Sequence, residues 1–354
     1  MGQAAVSNAT ACTATEILPF AIVYFKELTI GEMIGVAVCC GLTLLIVAMF
    51  IENVIFLLKN LTCKRTLNLS VYQIGIHPIF ASLALLAVVV PRSSLLCDLV
   101  GSVYLSLCIN VFLRLIVTYH GGSERMLARM SQDKIPLRSP PLACCCCCCP
   151  TITITRRNFN RIRVMVVQVT FVRPVVMFIA AALWTDGRYT KGGFSGAGAA
   201  SYINVISSVS TLTAMYGLIL VYRASRKHLA NFHLMPKFIN LQLVLMFSSL
   251  QQLIFTTLQK YNLPSCRGHL STPALGNAMN HMILIGEMFL LAILARCYYR
   301  RREGEPITIA EIGSDGDNDR NKLKQNGNSP ELTAIDGVYR KLDTEEPVVH
   351  TIAQ

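Results

Sequence analysis

Residues 33–57 read MIGVAVCCGLTLLIVAMFIENVIFL and carry no charge before Glu52. About 20 largely apolar residues, at about 1.5 Å of helical rise each, cross the ~30 Å hydrocarbon core of a bilayer. This stretch therefore spans a membrane as a helix. Six more segments of the same kind follow, at about 71–90, 95–117, 164–184, 199–221, 238–258 and 278–298. Pro91 and Arg92 end the second. The third carries Asp98 near one end and Arg114 near the other, and the fourth contains Arg173-Pro174, which should kink it. The seventh runs out into Tyr298-Tyr299-Arg300-Arg301-Arg302. The pattern predicts an all-α integral membrane protein of seven transmembrane helices.

Composition points the same way. Of 354 residues, 53% are hydrophobic and only 15% charged, where a soluble domain would carry about 25%; mean hydropathy is +0.49. The net charge of +12 is unevenly spread, because residues 303–354 hold 11 acids against 5 bases. Lys and Arg in alternate connections number about 19 on one side and about 6 on the other, which by the positive-inside rule puts the N-terminus outside and the C-terminus in the cytosol. The basic surplus belongs to cytosolic loops; no nucleic-acid-binding motif accompanies it. The N-terminus has no basic n-region, and the apolar patch 17–25 contains Pro19 and is too short to span, so it reads as an interfacial or capping helix. The polar, acidic tail reads as disordered. With no internal repeat, the chain divides into an extracellular segment 1–32, a membrane domain 33–302 with a cysteine-rich cytosolic loop at about 120–163, and a tail 303–354.

Six of the 14 cysteines stand consecutively, Cys144, Cys145, Cys146, Cys147, Cys148 and Cys149, closed by Pro150. Adjacent cysteines point their ligand vectors apart, which suits zinc poorly, and neighbours do not form unstrained disulfides. Arg138 precedes the run, and Arg156, Arg157, Arg161 and Arg163 follow it. A cysteine cluster beside membrane segments and a basic cluster reads as S-acylation, whose chains fold into the leaflet. It lies on the predicted cytosolic side. Asn8-Ala9-Thr10 is a glycosylation sequon on the outer side, whereas those at Asn60 and Asn68 fall in a cytosolic connection and should be unused. Cys97 and Cys266, at or near the outer face, are candidates for a disulfide, with Cys12 a third; sequence does not fix the pairing.

Polar groups inside spans cost several kcal/mol unless paired or facing water, and so point to function. Glu52 and Asn53 close the first span, where Glu52 either serves function or pairs with Lys59. Arg114 is long enough to snorkel to the cytosolic interface. Arg173 is deeper, and its five donors suit a carboxylate, sulfate or phosphate; an ion pair with Asp98 or Glu287 is the competing account. Asn280 and Glu287 are seven apart and share a helix face. Gln251, Gln252 and Gln242 add polar surface in the sixth span, which interhelical hydrogen bonding would also explain. His281 alone is a weak reason to propose proton coupling. HExxH, GxSxG, P-loop and paired CxxC motifs are all absent, so no enzyme activity, cofactor or metal site is expected.

The seven-span layout with a cytosolic poly-cysteine run resembles the organic solute transporter alpha subunit, including its invertebrate alpha-like members. The residues that carry the likeness are Phe50-Ile51-Glu52-Asn53, Pro91-Arg92-Ser93, Gly121-Gly122 ahead of Cys144–Cys149 and Pro150, and Lys237-Phe238 with Gln251 and Ile254-Phe255. In the seventh span they are Asn280, Glu287, Phe289-Leu290 and Arg296 through Tyr298-Tyr299-Arg300-Arg301. The likeness runs from about residue 33 to 302. Asn53 stands where an acid is expected, and the N-terminus and tail show no likeness.

The resemblance implies facilitated, bidirectional transport of bile acids, conjugated steroids and related amphipathic anions. It also implies a separate small single-span beta-type subunit and a place in the plasma membrane, basolateral in epithelia; homo-oligomers are compatible with it. An amphipathic anion needs an apolar groove for its body and a cation for its head, which nominates Arg173 or Arg114, with Glu52, Gln251, Asn280 and Glu287 as further candidates and acyl chains on Cys144–Cys149 along the groove. Two rival readings remain. One is a membrane-organising or ciliary scaffold built on the acylated loop, as some alpha-like members suggest. The other is a seven-helix receptor, disfavoured because span three ends Thr118-Tyr119-His120 rather than in a DRY-like triplet, and span seven lacks NPxxY.

Overall fold

The computed structural model describes residues 18–130, 134–136, 151–186, 199–229 and 232–300. Asn8, Cys12, Cys144–Cys149 and the tail from residue 301 lie outside them. The chain divides into two units, Met1–Pro306 and Ile307–Gln354, and every described element belongs to the first.

Helix α1 (Ala21–Glu27) leads to α2 (Ile30–Asn60), which opens with a capping box: Thr29 accepts from the Glu32 backbone and Glu32 accepts from the Thr29 backbone. Then come α3 (Lys64–Ile74) and α4 (Ile76–Val89), a 3-10 turn at Pro91–Ser93, α5 (Ser94–Tyr119) and α6 (Ser123–Met130). Strands β1 (Lys134–Pro136) and β2 (Thr151–Thr153) pair antiparallel, Lys134 opposite Thr153. Helices α7 (Arg156–Thr185), α8 (Ala199–Ser225), α9 (Leu234–Lys260) and α10 (Thr272–Tyr299) complete the order. Among the described residues seven segments are long and apolar enough to cross a membrane, with α3 and α4 together forming the second. The fold class is therefore the one expected, a nearly all-helical membrane protein.

Every span but the fifth begins earlier than expected, the second and the fourth by the most. The second starts at Lys64 rather than near 71, because the polar residues Thr66, Ser70 and Gln73 of α3 are buried against the bundle instead of forming a loop. It breaks at Gly75, where the Tyr104 hydroxyl donates to the Tyr72 carbonyl at 2.8 Å; a Cβ on Gly75 would stand 2.8 Å from that hydroxyl. The fourth starts at Arg156 rather than near 164, its first turn capped by the Thr155 hydroxyl, which accepts from the Asn158 amide. Pro174, expected to kink this helix, lies inside it without ending it. Lacking an N–H, it leaves the Thr170 carbonyl without its helical donor.

Helix α5 is the spine, touching α3, α4, α7, α8 and α9 through buried Cys108, Ile109, Phe112, Leu115 and Ile116. Helix α7 lies tightly on α8 because Gly217 has no side chain; a Cβ there would meet Val166 at 2.9 Å and the Ile162 carbonyl at 3.2 Å. Gln168 and Ser210 bond reciprocally across the same seam, at 2.8 and 2.9 Å. Outward, α2 and α7 present broad apolar faces that include Val38, Leu44, Phe171 and Phe178. Exposure on that scale suits lipid rather than water as the solvent. At one end α1 packs over the bundle, burying Tyr24 against Leu270, Leu275 and Ala278. Arg267 ties it down by donating to Glu32 at 2.7 Å and to the Glu27 carbonyl at 3.3 Å. The opposite end carries α6 and the β1–β2 pair.

Candidate functional site

In the half of the bundle nearer α1, a cavity of about 460 Å³ opens among α4, α5, α7, α8, α9 and α10. One wall is apolar, with Phe80, Leu83, Ala84 and Leu284. The rest is polar and gathers residues that lie far apart in sequence.

Arg173 projects from α7 into this space. Its Nη1 donates to Ser102 Oγ of α5 at 2.7 Å and its Nη2 to Thr211 Oγ1 of α8 at 2.6 Å. Thr211 passes its own proton to the Ser207 carbonyl, at 2.7 Å. No carboxylate among the described residues lies within ion-pair distance of the guanidinium, so the competing ion pair with Asp98 or Glu287 does not form. Two neutral hydroxyls fix the group and leave its charge and remaining donors uncommitted. Asp98 sits instead with His281, Nε2 to Oδ1 at 3.7 Å, an ion pair once the imidazole is protonated. Gln251 donates to the Asn280 carbonyl at 2.9 Å, and Asn280 Oδ1 is buried with no partner. The arrangement offers one cation with no ion-pair partner among the described residues, the Asp98 carboxylate beside His281, several amide and hydroxyl groups and an apolar wall. An amphipathic anion needs such a cation and such a wall.

Three sequence-nominated residues lie elsewhere. Arg114 is twelve residues beyond Ser102 on α5, about 18 Å along the helix, and does not line the cavity. Glu287 is two turns past Asn280, also away from the cavity, with Oε2 buried and unpartnered. Glu52 accepts from Arg296 at 2.8 Å and from Arg300 at 2.6 Å, tying α2 to the end of α10. It takes these partners rather than Lys59. Asn53 accepts from Arg300 Nε at 3.3 Å. Fully buried Lys237 donates to the Tyr119 hydroxyl at 2.7 Å and stands 5.0 Å from the rings of Tyr119 and Tyr299, within cation–π range. The sequence motifs of spans one, six and seven thus converge at the α6 end, where they bind helices together.

Cys266 is disulfide-bonded, but Cys97 is not its partner. Cys97 is a thiol 3.6 Å from the Ser93 hydroxyl, on the buried face of α5 that lines the cavity. Sequence reasoning also missed Ser102 and Thr211, since a hydroxyl in an apolar span leaves no trace in hydropathy.

No solved structure matches the chain. Among curated proteins, it is 30% identical over 292 residues to the organic solute transporter subunit alpha of Danio rerio, covering 82% of this chain and 88% of the relative. The human subunit of the same name is 27% identical over 257 residues, 73% of this chain and 76% of its own. The organic solute transporter alpha-like protein 3 of Caenorhabditis elegans is 24% identical over 288 residues, 80% and 81%. These are transporter subunits, not enzymes. The family model described as organic solute transporter Ostalpha matches residues 35–303, nearly the whole of the helical bundle, and the chain belongs to that family.

Proposed function

We propose that this protein is the alpha subunit of a facilitative, bidirectional transporter for amphipathic organic anions such as bile acids and conjugated steroids. The observation that carries the reading is Arg173 in its cavity, a cation held by two hydroxyls with no carboxylate at ion-pair distance among the described residues, beside an apolar wall. The anionic head binds at Arg173, the ring body lies along Phe80, Leu83 and Leu284, and Asn280 and Gln251 select among polar substituents. The solute's own gradient drives flux, since the chain has no nucleotide-binding motif.

The N-terminus lies outside, with Asn8 glycosylated, and the acidic tail lies in the cytosol. Acyl chains on Cys144–Cys149 enter the inner leaflet beside the bundle. A small single-span beta-type subunit accompanies the protein at the plasma membrane, against one of its lipid-facing helices.

The test is uptake of a labelled steroid sulfate and a bile acid into cells expressing the chain, with and without such a partner, at measured surface levels. Saturable flux in both directions that persists without ATP or a sodium gradient supports the reading. Absence of flux despite surface delivery with the partner refutes it and favours a membrane-organising role.

A further inference from the structure

A second cavity, of about 450 Å³, lies at the other end of the bundle, between the turn that follows α8, the first turns of α9 and the end of α10. Its depth is apolar, with Ile239, Leu243 and Leu294 on facing helices. Its mouth carries Arg226, His233 and Tyr298. Arg226 is exposed, and its guanidinium makes no hydrogen bond or ion pair among the described residues. Arg223 and Lys227 stand beside it, and the sequence holds no Asp or Glu between Asp186 and Glu287. The local field is therefore positive.

Two further features point to a ligand. Helix α9 begins at this mouth behind His233, whose backbone is left-handed at φ 47° and ψ 40°, and it has no side-chain cap. The first-turn amides of Leu234 and Met235 therefore have no helical acceptor, and the positive end of a 27-residue helix faces the opening. Independently, Asn240 is only 5% exposed and lines the same pocket. Its carboxamide meets His77 Nε2 at 3.1 Å on one side and has no protein partner on the other. An unsatisfied buried amide is costly, which argues that something else completes it.

We propose that this pocket binds an anionic phospholipid from the surrounding leaflet. The phosphate sits at Arg226 and the first turn of α9, and the glycerol and ester region meets Asn240, about 9 Å deeper along the helix. One acyl chain lies along Ile239, Leu243 and Leu294. A cationic mouth above an apolar interhelical groove is the chemistry that recognises such lipids. In the orientation proposed for the chain, this end faces the cytosolic leaflet, where anionic lipids concentrate. The site is separate from the Arg173 cavity and does not depend on the transport reading.

The test is native mass spectrometry of the purified full-length protein with equal amounts of dioleoyl phosphatidylglycerol and dioleoyl phosphatidylcholine. The wild type should retain the anionic lipid about fivefold over the zwitterionic one, equivalent to about 1 kcal/mol for one basic residue at a lipid phosphate. Arg226→Gln, a surface change that leaves the core intact, should bring the ratio close to one. Leu243→Trp, which fills the groove, should lower retention of both lipids. Equal retention by the wild type, or a preference unchanged in Arg226→Gln, overturns the proposal. So does displacement by glycerol phosphate, which would mark a free-phosphate site, or by a bile-acid anion at comparable concentration, which would mark a solute site.

Discussion

Replacing Arg173 by Gln separates its two roles, as a tie between helices and as a receptor for an anion. As a tie it makes two hydrogen bonds, to Ser102 and Thr211. Thr211 keeps the Ser207 carbonyl as partner when the arginine is gone, and Ser102 borders the cavity, where water can reach it. The structural loss is thus about 1 kcal/mol, the net worth of an ordinary hydrogen bond. As a receptor it supplies a charge-assisted, bidentate contact to a carboxylate or sulfate, worth about 2 to 4 kcal/mol, or roughly 30- to 1,000-fold in affinity. The functional term exceeds the structural one. The assay is initial-rate uptake of a steroid sulfate over a range of concentrations, normalised to surface protein. Arg173→Gln should reach the surface at near wild-type levels and show KM raised by at least ~30-fold, or flux at background. Arg173→Lys, which keeps the charge without the fork, should recover part of the loss. The combined Ser102→Ala and Thr211→Val change, which loosens the arginine but keeps its charge, should cost less than Arg173→Gln. A wild-type KM in Arg173→Gln, or a flux loss that only follows surface amount, would refute the reasoning.

Cys266 is disulfide-bonded, and with Cys97 a thiol the candidate that the sequence leaves for its partner is Cys12. Cys12→Ser should therefore make Cys266 reactive to an impermeant maleimide on intact cells; labelling only after permeabilisation would reverse the orientation, and none in either case would reject the pairing. His120, beyond the end of α5, is held down to about 4 from 6.5 by burial and then by the charges of Arg129 and His228. The unfolded chain binds the proton first, so stability present above pH 6.5 is lost as pH falls towards 4, about 2 kcal/mol of it by pH 5. His120→Phe should flatten the dependence of the melting temperature on pH in that window, and an unchanged slope would reject the assignment. Changing Cys144–Cys149 to Ser should abolish acylation, measured by a thioester-exchange mass shift, and lower transport without preventing insertion. Undiminished transport after proven loss of the acyl groups would remove those chains from the solute path.

The spans are legible in the sequence because about 20 consecutive apolar residues have few other uses. Their polar extensions are not. Lys64-Arg65-Thr66 and Arg156–Arg163 look like loop by hydropathy, yet they continue helices, with Thr66, Ser70, Gln73 and Phe159 turned inward. Of the nominated residues, Arg173, Asn280 and Gln251 meet in one cavity, while Glu52, Arg114 and Glu287 do not. Helical spacing assigns residues to a face but says nothing about which other helix that face meets, or at what depth. Sequence proximity pairs Glu52 with Lys59, whereas its partners Arg296 and Arg300 come from the far end of the bundle's chain. Hydropathy places Cys97 near an end of α5 but cannot show that its side chain is buried in the bundle, against the cavity, as a thiol.

The way Arg173 is held bears on whether its cavity can serve transport. A cation buried between helices is usually matched with a carboxylate, because desolvation otherwise outweighs what it gains. Here the available carboxylate, Asp98, is set against His281, and the arginine receives only hydroxyls. A fixed carboxylate would neutralise the site, and an incoming anion would have to displace it. With hydroxyl partners the charge is left to the cavity, and an incoming anion would have no bound carboxylate to displace from the guanidinium. The same arrangement limits affinity, since only part of the guanidinium fork is free. A facilitative carrier must bind tightly enough to select its solute and loosely enough to release it at the other face. Hydroxyl support for the cation meets both conditions, and it predicts that Ser102→Asp, by supplying the missing carboxylate, would impair anion flux more than Ser102→Ala.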